Sequence, residues 1–148
     1  MKRSWFIPIA QTLIVCFFLL LVYAVSWFGQ TYTFEASSLD PFDATYQNTV
    51  YLDYDAFQGR QEVESGVVYM SFKQGEDGFA EIDRIQSKPF FGGIRGNYYD
   101  RAVYVDGLNA YQVTDEEAQT VQGVTSYTVQ VDVAPWGMMR LYELKPKE

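Results

Sequence analysis

The chain has 148 residues, of which 19 are acidic and 11 are basic. All the acidic residues lie beyond residue 32, and so do all the basic residues except Lys2 and Arg3. Such an acidic segment disfavours nucleic acid and anionic lipid as binding partners, because both require a basic surface. The chain has no histidine and one cysteine. This excludes histidine-dependent triads, histidine-ligated zinc and an intramolecular disulfide.

The first predicted element is a membrane-spanning helix at residues 6–28, which contain no charged side chain. A helix of this length extends roughly 35 Å and so can cross a hydrocarbon core of about 30 Å. Lys2 and Arg3 precede it, and the acidic segment follows it. The positive-inside rule therefore predicts a cytoplasmic tail at residues 1–5 and an extracytoplasmic β-rich domain at residues 30–148. The alternative is a signal peptide cleaved near residues 24–26, although the apolar run is long for one.

Beyond the helix, alternating apolar and polar residues predict an all-β domain. Hairpin turns are expected at residues 74–78 and 135–137. A short helix is predicted at residues 114–121, where Thr114 and Glu117 have capping-box spacing. The number of predicted strands favours closure of the antiparallel sheet into a barrel or a sandwich. The predicted strands are residues 31–35, 49–54, 67–73, 79–85, 90–98, 101–105, 125–134 and 138–144.

The strand at residues 125–134 has the clearest alternation. Its valines and Tyr127 are expected to face the core, whereas Thr128, Gln130 and Asp132 are expected to face solvent. The inward set comprises Tyr127, Val129, Val131 and Val133.

Residues 40–54 read Asp-Pro-Phe-Asp-Ala-Thr-Tyr-Gln-Asn-Thr-Val-Tyr-Leu-Asp-Tyr. Without gaps, this stretch resembles the signature of the bacterial GDYXXLXY family, in which Asp-Pro-Arg-Asp precedes Arg-Gly-Asp-Tyr and then Val-x-Leu-x-Tyr. Gln47, Asn48 and Thr49 stand at the positions of the Gly-Asp-Tyr core. The matching residues are Asp40, Pro41, Asp43, Val50, Leu52 and Tyr54.

The resemblance covers most of residues 30–145 and implies a membrane-anchored bacterial protein with one N-terminal helix and no assigned function. The family brings no catalytic residues, so the matching positions are interpreted as structural. Asn48 is expected to form the turn made by Gly-Asp in the family, because asparagine tolerates the left-handed helical region. The strand that follows is expected to point Val50, Leu52 and Tyr54 into the core.

Two groups of side chains offer ligand-binding hypotheses. Asp40, Asp43, Asp53 and Asp55 provide the oxygen ligands that Ca²⁺ prefers, but their spacing matches no EF-hand loop, and solvated carboxylates are the favoured interpretation.

Exposed aromatic residues are the second group, because aromatic side chains can form a platform for sugars. The candidates are Tyr98, Tyr99 and Trp136, and the competing interpretation places them in the core or at its rim.

Ser37 and Ser38 follow the helix, as the nucleophile of a membrane-anchored Ser/Lys peptidase would, with Lys73 and Lys88 as candidate bases. Neither lysine lies where burial would lower its pKa, which disfavours this chemistry. The glycine-rich residues 92–96 precede no predicted helix that could receive a phosphate, so a bulge or close backbone packing is expected there.

The sequence therefore predicts a non-enzymatic, membrane-anchored accessory or interaction domain outside the cytoplasm, with no cofactor. Its expected partners are the bilayer, through residues 6–28, and another membrane protein. Gln11 and Thr12 favour the latter, because polar groups within a span tend to face other helices. The alternative is an envelope hydrolase acting on carbohydrate or peptide.

Overall fold

The computed structural model describes residues 6–40, 48–59 and 61–147. Helix α1 comprises Phe6–Phe28. Its stretch Phe6–Val25 has a mean hydropathy of 2.4, and Val25 is the one residue of this stretch that is buried against the rest of the protein. The helix is therefore long and apolar enough to cross a membrane. One residue, Gly29, separates it from the first strand, and the Gly29 N–H donates to the Val25 carbonyl oxygen at 2.8 Å.

The remainder, which we call the β-domain, consists of two antiparallel sheets. The five-stranded sheet has the order β7-β2-β1-β8-β9, and the four-stranded sheet has the order β4-β3-β5-β6. A single turn of 3-10 helix at Asp55–Phe57 follows β2, and helix α2 comprises Asp115–Val121. The strands are β1 Gln30–Ser38, β2 Thr49–Tyr54, β3 Gly66–Gln74, β4 Ala80–Gln86, β5 Ile94–Tyr99, β6 Ala102–Tyr104, β7 Ala110–Gln112, β8 Ser126–Val133 and β9 Met139–Pro146. The all-β prediction, with one short helix, is confirmed.

An aromatic cluster joins the two sheets. Phe34 of β1 packs edge-to-face on Phe72 of β3, with ring centroids 5.1 Å apart. Tyr54 and Phe57 lie 5.1 Å apart and both contact Phe34. Because aromatic pairs add about 0.5–1.5 kcal/mol to the effect of burial alone, this cluster stabilises a domain that has no disulfide.

The predicted strand at residues 90–98 is wrong at its start, because β5 begins at Ile94. Residues 90–93 form a turn instead, in which the Gly93 N–H donates to the Phe90 carbonyl oxygen at 3.0 Å. The alternation pattern also predicts no strand at β7, which is too short to show a period and forms by pairing with β2.

The predicted helix is confirmed, since Thr114 and Glu117 form a capping box at the start of α2. In β8, Tyr127, Val129 and Val131 are buried as predicted, and Val133 is half-buried.

The outward position predicted for Asp132 is wrong, because this residue is only 6% exposed. The Thr31 hydroxyl donates to its carboxylate at 2.6 Å. A Cβ atom at Gly29 would lie 3.2 Å from the Val133 carbonyl oxygen, so the end of α1 packs against this end of β8. The burial of Asp132 thus occurs at the end of β8 that packs against α1, a contact that strand periodicity does not predict.

Candidate functional site

Three residues of the family-like stretch belong to the core. Val50, Leu52 and Tyr54 are each at most 2% exposed. The Tyr54 hydroxyl donates to the Leu108 carbonyl oxygen at 2.9 Å, and burial raises the pKa of Tyr54 well above its usual value. Tyr54 therefore keeps its proton at ordinary pH, and its hydroxyl serves as a structural hydrogen-bond donor rather than as an acid.

Asn48 precedes β2 in the left-handed region, with φ of 50°. Its side-chain amide donates to the Asp115 carboxylate at 2.5 Å, which links the turn to the start of α2. Asp40 is described and exposed, whereas the candidate positions Pro41 and Asp43 lie outside the described residues.

Two members of the carboxylate group, Asp53 and Asp55, lie in different elements. Asp53 lies in β2 and accepts a hydrogen bond from the Gln58 side chain, whereas Asp55 begins the 3-10 helix. Among the residues that the structure describes, no three acidic, histidine or cysteine side chains come close enough to hold a metal ion.

The sugar-platform hypothesis fails at Tyr98, which lies in the core as the competing interpretation expected. This residue is 6% exposed, and its hydroxyl accepts a hydrogen bond from the Gln61 N–H at 3.0 Å. Tyr99 is exposed and stacks on Tyr104, with centroids 4.5 Å apart and planes 15° apart. Trp136 lies in the β8–β9 turn, which packs beside Gly92 and Gly93 at the opposite end of β5. The aromatic residues thus form separate surfaces.

The candidate serines and lysines also lie apart. Ser37 and Ser38 belong to β1, whose neighbours are β2 and β8, while Lys73 belongs to the other sheet and lies 3.8 Å from Glu81. Lys88 is exposed. The Ser38 hydroxyl is buried and, within the described part of the chain, has no hydrogen-bond partner. No serine–lysine dyad is assembled from these residues.

A cavity of about 320 Å³, which we call the basal cavity, lies where α1 meets the two sheets. The Tyr32 hydroxyl donates to the Phe72 carbonyl oxygen at 3.0 Å within its wall. Burial, helped by the negative charge of Asp83, raises the pKa of Tyr32. The cavity therefore offers apolar walls and a neutral hydroxyl. Its lining consists of Phe28, Gln30, Tyr32, Ser71, Phe72, Gly92, Ile94, Val133, Ala134 and Pro135.

Sequence patterns could not reveal the basal cavity, because its walls come from segments that are distant along the chain. At the far end of β1, a second cavity of about 160 Å³ is bordered by Leu39, Tyr51, Leu52 and Tyr104. Together with Tyr99, which stacks on Tyr104, Tyr51 and Tyr104 form a surface that we call the tyrosine patch.

No protein-family model, curated protein or solved structure matches the chain. The resemblance to the GDYXXLXY family thus stays a prediction, and the functional interpretation depends on the geometry alone.

Proposed function

We propose that the chain is a single-pass membrane protein whose β-domain is a non-enzymatic interaction module for another protein of the same membrane. The junction between helix and sheet carries this proposal. The exposed, uncharged α1 leads through Gly29 alone into β1, a central strand of the five-stranded sheet. So short a connection holds the domain beside the bilayer and raises its effective concentration toward neighbouring membrane proteins.

The proposed orientation places residues 1–5 in the cytoplasm and the β-domain outside it. Lys2 and Arg3 precede α1, and basic residues flanking a span favour the cytoplasmic side.

Within α1, the Thr12 hydroxyl donates to the Pro8 carbonyl oxygen at 2.9 Å, so this polar group is satisfied by its own helix. Gln11 is therefore the side chain that we assign to contact with a partner helix, since amide groups in a span hydrogen-bond across helix interfaces.

The tyrosine patch is the surface that we assign to the partner's external part. Tyr99 and Tyr104 are 52% and 37% exposed, and their stacking fixes both rings. Tyrosine is enriched at protein interfaces because it provides a large contact area with little loss of side-chain entropy. Asp53 borders the adjacent cavity, and Asp100 follows Tyr99. We therefore expect apolar and basic side chains on the partner.

The separation of the candidate serines, lysines and carboxylates supports this proposal over the envelope hydrolase. Several large aromatic residues also belong to the core rather than to an open cleft, as the buried Tyr54, Phe57 and Tyr98 illustrate.

Photo-cross-linking in native membranes tests the proposal. A photoreactive phenylalanine analogue placed at Tyr104 should give one discrete adduct with a membrane protein. The matched control places the same analogue at Tyr142, which is 61% exposed on β9 in the other sheet. Tyr104→Ala should abolish co-purification of the adduct partner, whereas Tyr142→Ala should leave it unchanged. Equal adducts from both positions, or none from Tyr104, would count against the interaction module.

A further inference from the structure

Two loops of the β-domain lie level with the end of α1. Gln30, at the start of β1, pairs with Val133 of β8, and Val133 pairs with Met139 of β9. The β8–β9 turn at residues 134–138 must therefore sit beside the point where the chain leaves the helix. We call residues 134–138 and residues 87–93 the basal loops.

The second loop belongs to the same surface because the two backbones touch. A Cβ atom at Gly92 would lie 2.8 Å from the Pro135 carbonyl oxygen, and one at Gly137 would lie 2.7 Å from the Gly93 carbonyl oxygen. Both Gly92 and Gly137 also have positive φ, of 78° and 85°. Glycine is required at these contacts, which hold the basal loops together as one face.

This face exposes three large apolar side chains to solvent. Phe91 is 88% exposed, Met138 is 51% exposed and Trp136 is 40% exposed. Of the phenylalanine and tryptophan side chains described beyond α1, only Phe91 and Trp136 are exposed. Tryptophan and phenylalanine are favoured at the boundary between headgroups and acyl chains, because that zone accommodates apolar rings next to polar groups.

Basic side chains surround the same loops. Residues 83–95 and 132–140 contain four basic residues, Arg84, Lys88, Arg95 and Arg140, and two acidic residues, Asp83 and the buried Asp132. The strongly acidic total charge conceals this local excess of positive charge.

The loop at residues 87–93 is braced rather than free. Arg84 donates from Nε and Nη2 to the Gln86 side-chain oxygen at 3.1 and 2.7 Å, and the Gln86 amide donates to the Lys88 carbonyl oxygen at 2.8 Å. The Arg84 guanidinium also lies 4.8 Å from the centroid of the Phe90 ring. The loop is thereby fixed in a shape that presents Phe91 outward.

We propose that the basal loops dock on the leaflet from which α1 emerges, with Phe91, Trp136 and Met138 in the interfacial zone. The adjacent basic side chains then meet the lipid phosphates, and anionic headgroups strengthen the docking. This inference rests on the proposed function, because it takes α1 to span the bilayer. The occupant is the bilayer itself, since the basal loops are continuous with the end of the span.

Tryptophan quenching in nanodiscs tests the docking with the full chain. Three proteins are compared, each with a single tryptophan and with the other native tryptophans changed to Phe. The first keeps Trp27 and the second keeps Trp136. The third carries Tyr104→Trp and has none of the native tryptophans. The discs contain phosphatidylcholine and phosphatidylglycerol, with or without lipids brominated near the carbonyl end of the acyl chain. Docking predicts quenching of Trp27 and Trp136 and none at position 104.

The outcomes separate the two proposals. If Trp27 is quenched but Trp136 is not, the anchor stands and the docking is refuted. If neither is quenched, both proposals fail. If position 104 is quenched as strongly as Trp136, the domain lies on the membrane by another face, and the basal loops are not the docking surface.

A charge comparison adds an independent readout in the protein that keeps only Trp136. Lys88→Gln should lower the ratio of docked to undocked protein about fivefold in discs containing phosphatidylglycerol, as expected for loss of one basic charge near an anionic surface. Lys73→Gln is the matched control, because Lys73 is an exposed lysine paired with Glu81 on β4 and is not in the basal loops. Equal effects of the two substitutions would refute the assignment of the basic residues to the headgroups.

Discussion

Leu52 and Leu39 border the same cavity of about 160 Å³, yet Leu52 is 2% exposed and Leu39 is 66% exposed. Substitution by alanine removes three carbon atoms, which at Leu52 corresponds to about 2.4 kcal/mol of lost transfer free energy. An enclosed void would increase this loss, but the cavity beside Leu52 opens at the surface. We therefore expect Leu52→Ala to lower the free energy of unfolding by about 2.5–3.5 kcal/mol, near the lower end of the usual range.

Thermal unfolding of the full chain in detergent micelles, followed by near-ultraviolet circular dichroism, measures the effect. For a domain of this size, we expect Leu52→Ala to lower Tm by roughly 10–20 °C. Leu39→Ala is the matched control and should change the free energy of unfolding by at most about 0.5 kcal/mol, as exposed substitutions usually do. An equal change in Tm for the two variants, or none at Leu52, would refute the register assigned to β2.

Three further predictions concern single residues. The folded chain keeps the Tyr54 proton to a higher pH than the unfolded chain does, because burial raises the pKa of Tyr54. The free energy of unfolding should therefore fall as the pH rises above about 10, by up to about 1.4 kcal/mol per pH unit for each such tyrosine. In urea titrations, this fall should be shallower for Tyr54→Phe than for the unsubstituted chain. Arg101 has φ of 63° in the two-residue β5–β6 turn. Arg101→Gly should therefore raise Tm by relieving backbone strain, and an unchanged or lower Tm would contradict this explanation. Thr114→Ala removes the side-chain cap of α2 and should destabilise the domain by about 1 kcal/mol in the same titration, whereas no change would show that the cap contributes nothing.

The sequence patterns predict well those features that local periodicity and capping control. The alternation in β8 identifies Tyr127, Val129 and Val131 as core residues, and the spacing of Thr114 and Glu117 locates the start of α2. In both cases one element determines the observed feature, because burial of one strand face or satisfaction of the first helical N–H groups requires no knowledge of the rest of the fold.

The features that sequence patterns miss depend on contacts between distant segments. Asp132 has the position of a solvated residue in β8, but the end of α1 packs against that end of the strand. The β5–β6 turn is formed by Asp100 and Arg101, both with positive φ, without the glycine that usually marks such a turn. The basal loops combine segments more than 40 residues apart, and neither segment alone predicts a surface.

The anchoring of α1 is tested most directly with Cys16, the single cysteine of the chain, which lies on the exposed surface of the helix. In intact membranes, Cys16 should not react with a water-soluble maleimide, and it should react fully after the membranes are dissolved in detergent. Gln119→Cys in a Cys16→Ser background provides the control, because residue 119 is exposed on α2, and it should react in both conditions. Reaction of Cys16 in intact membranes at the rate found for position 119 would contradict the membrane-spanning assignment.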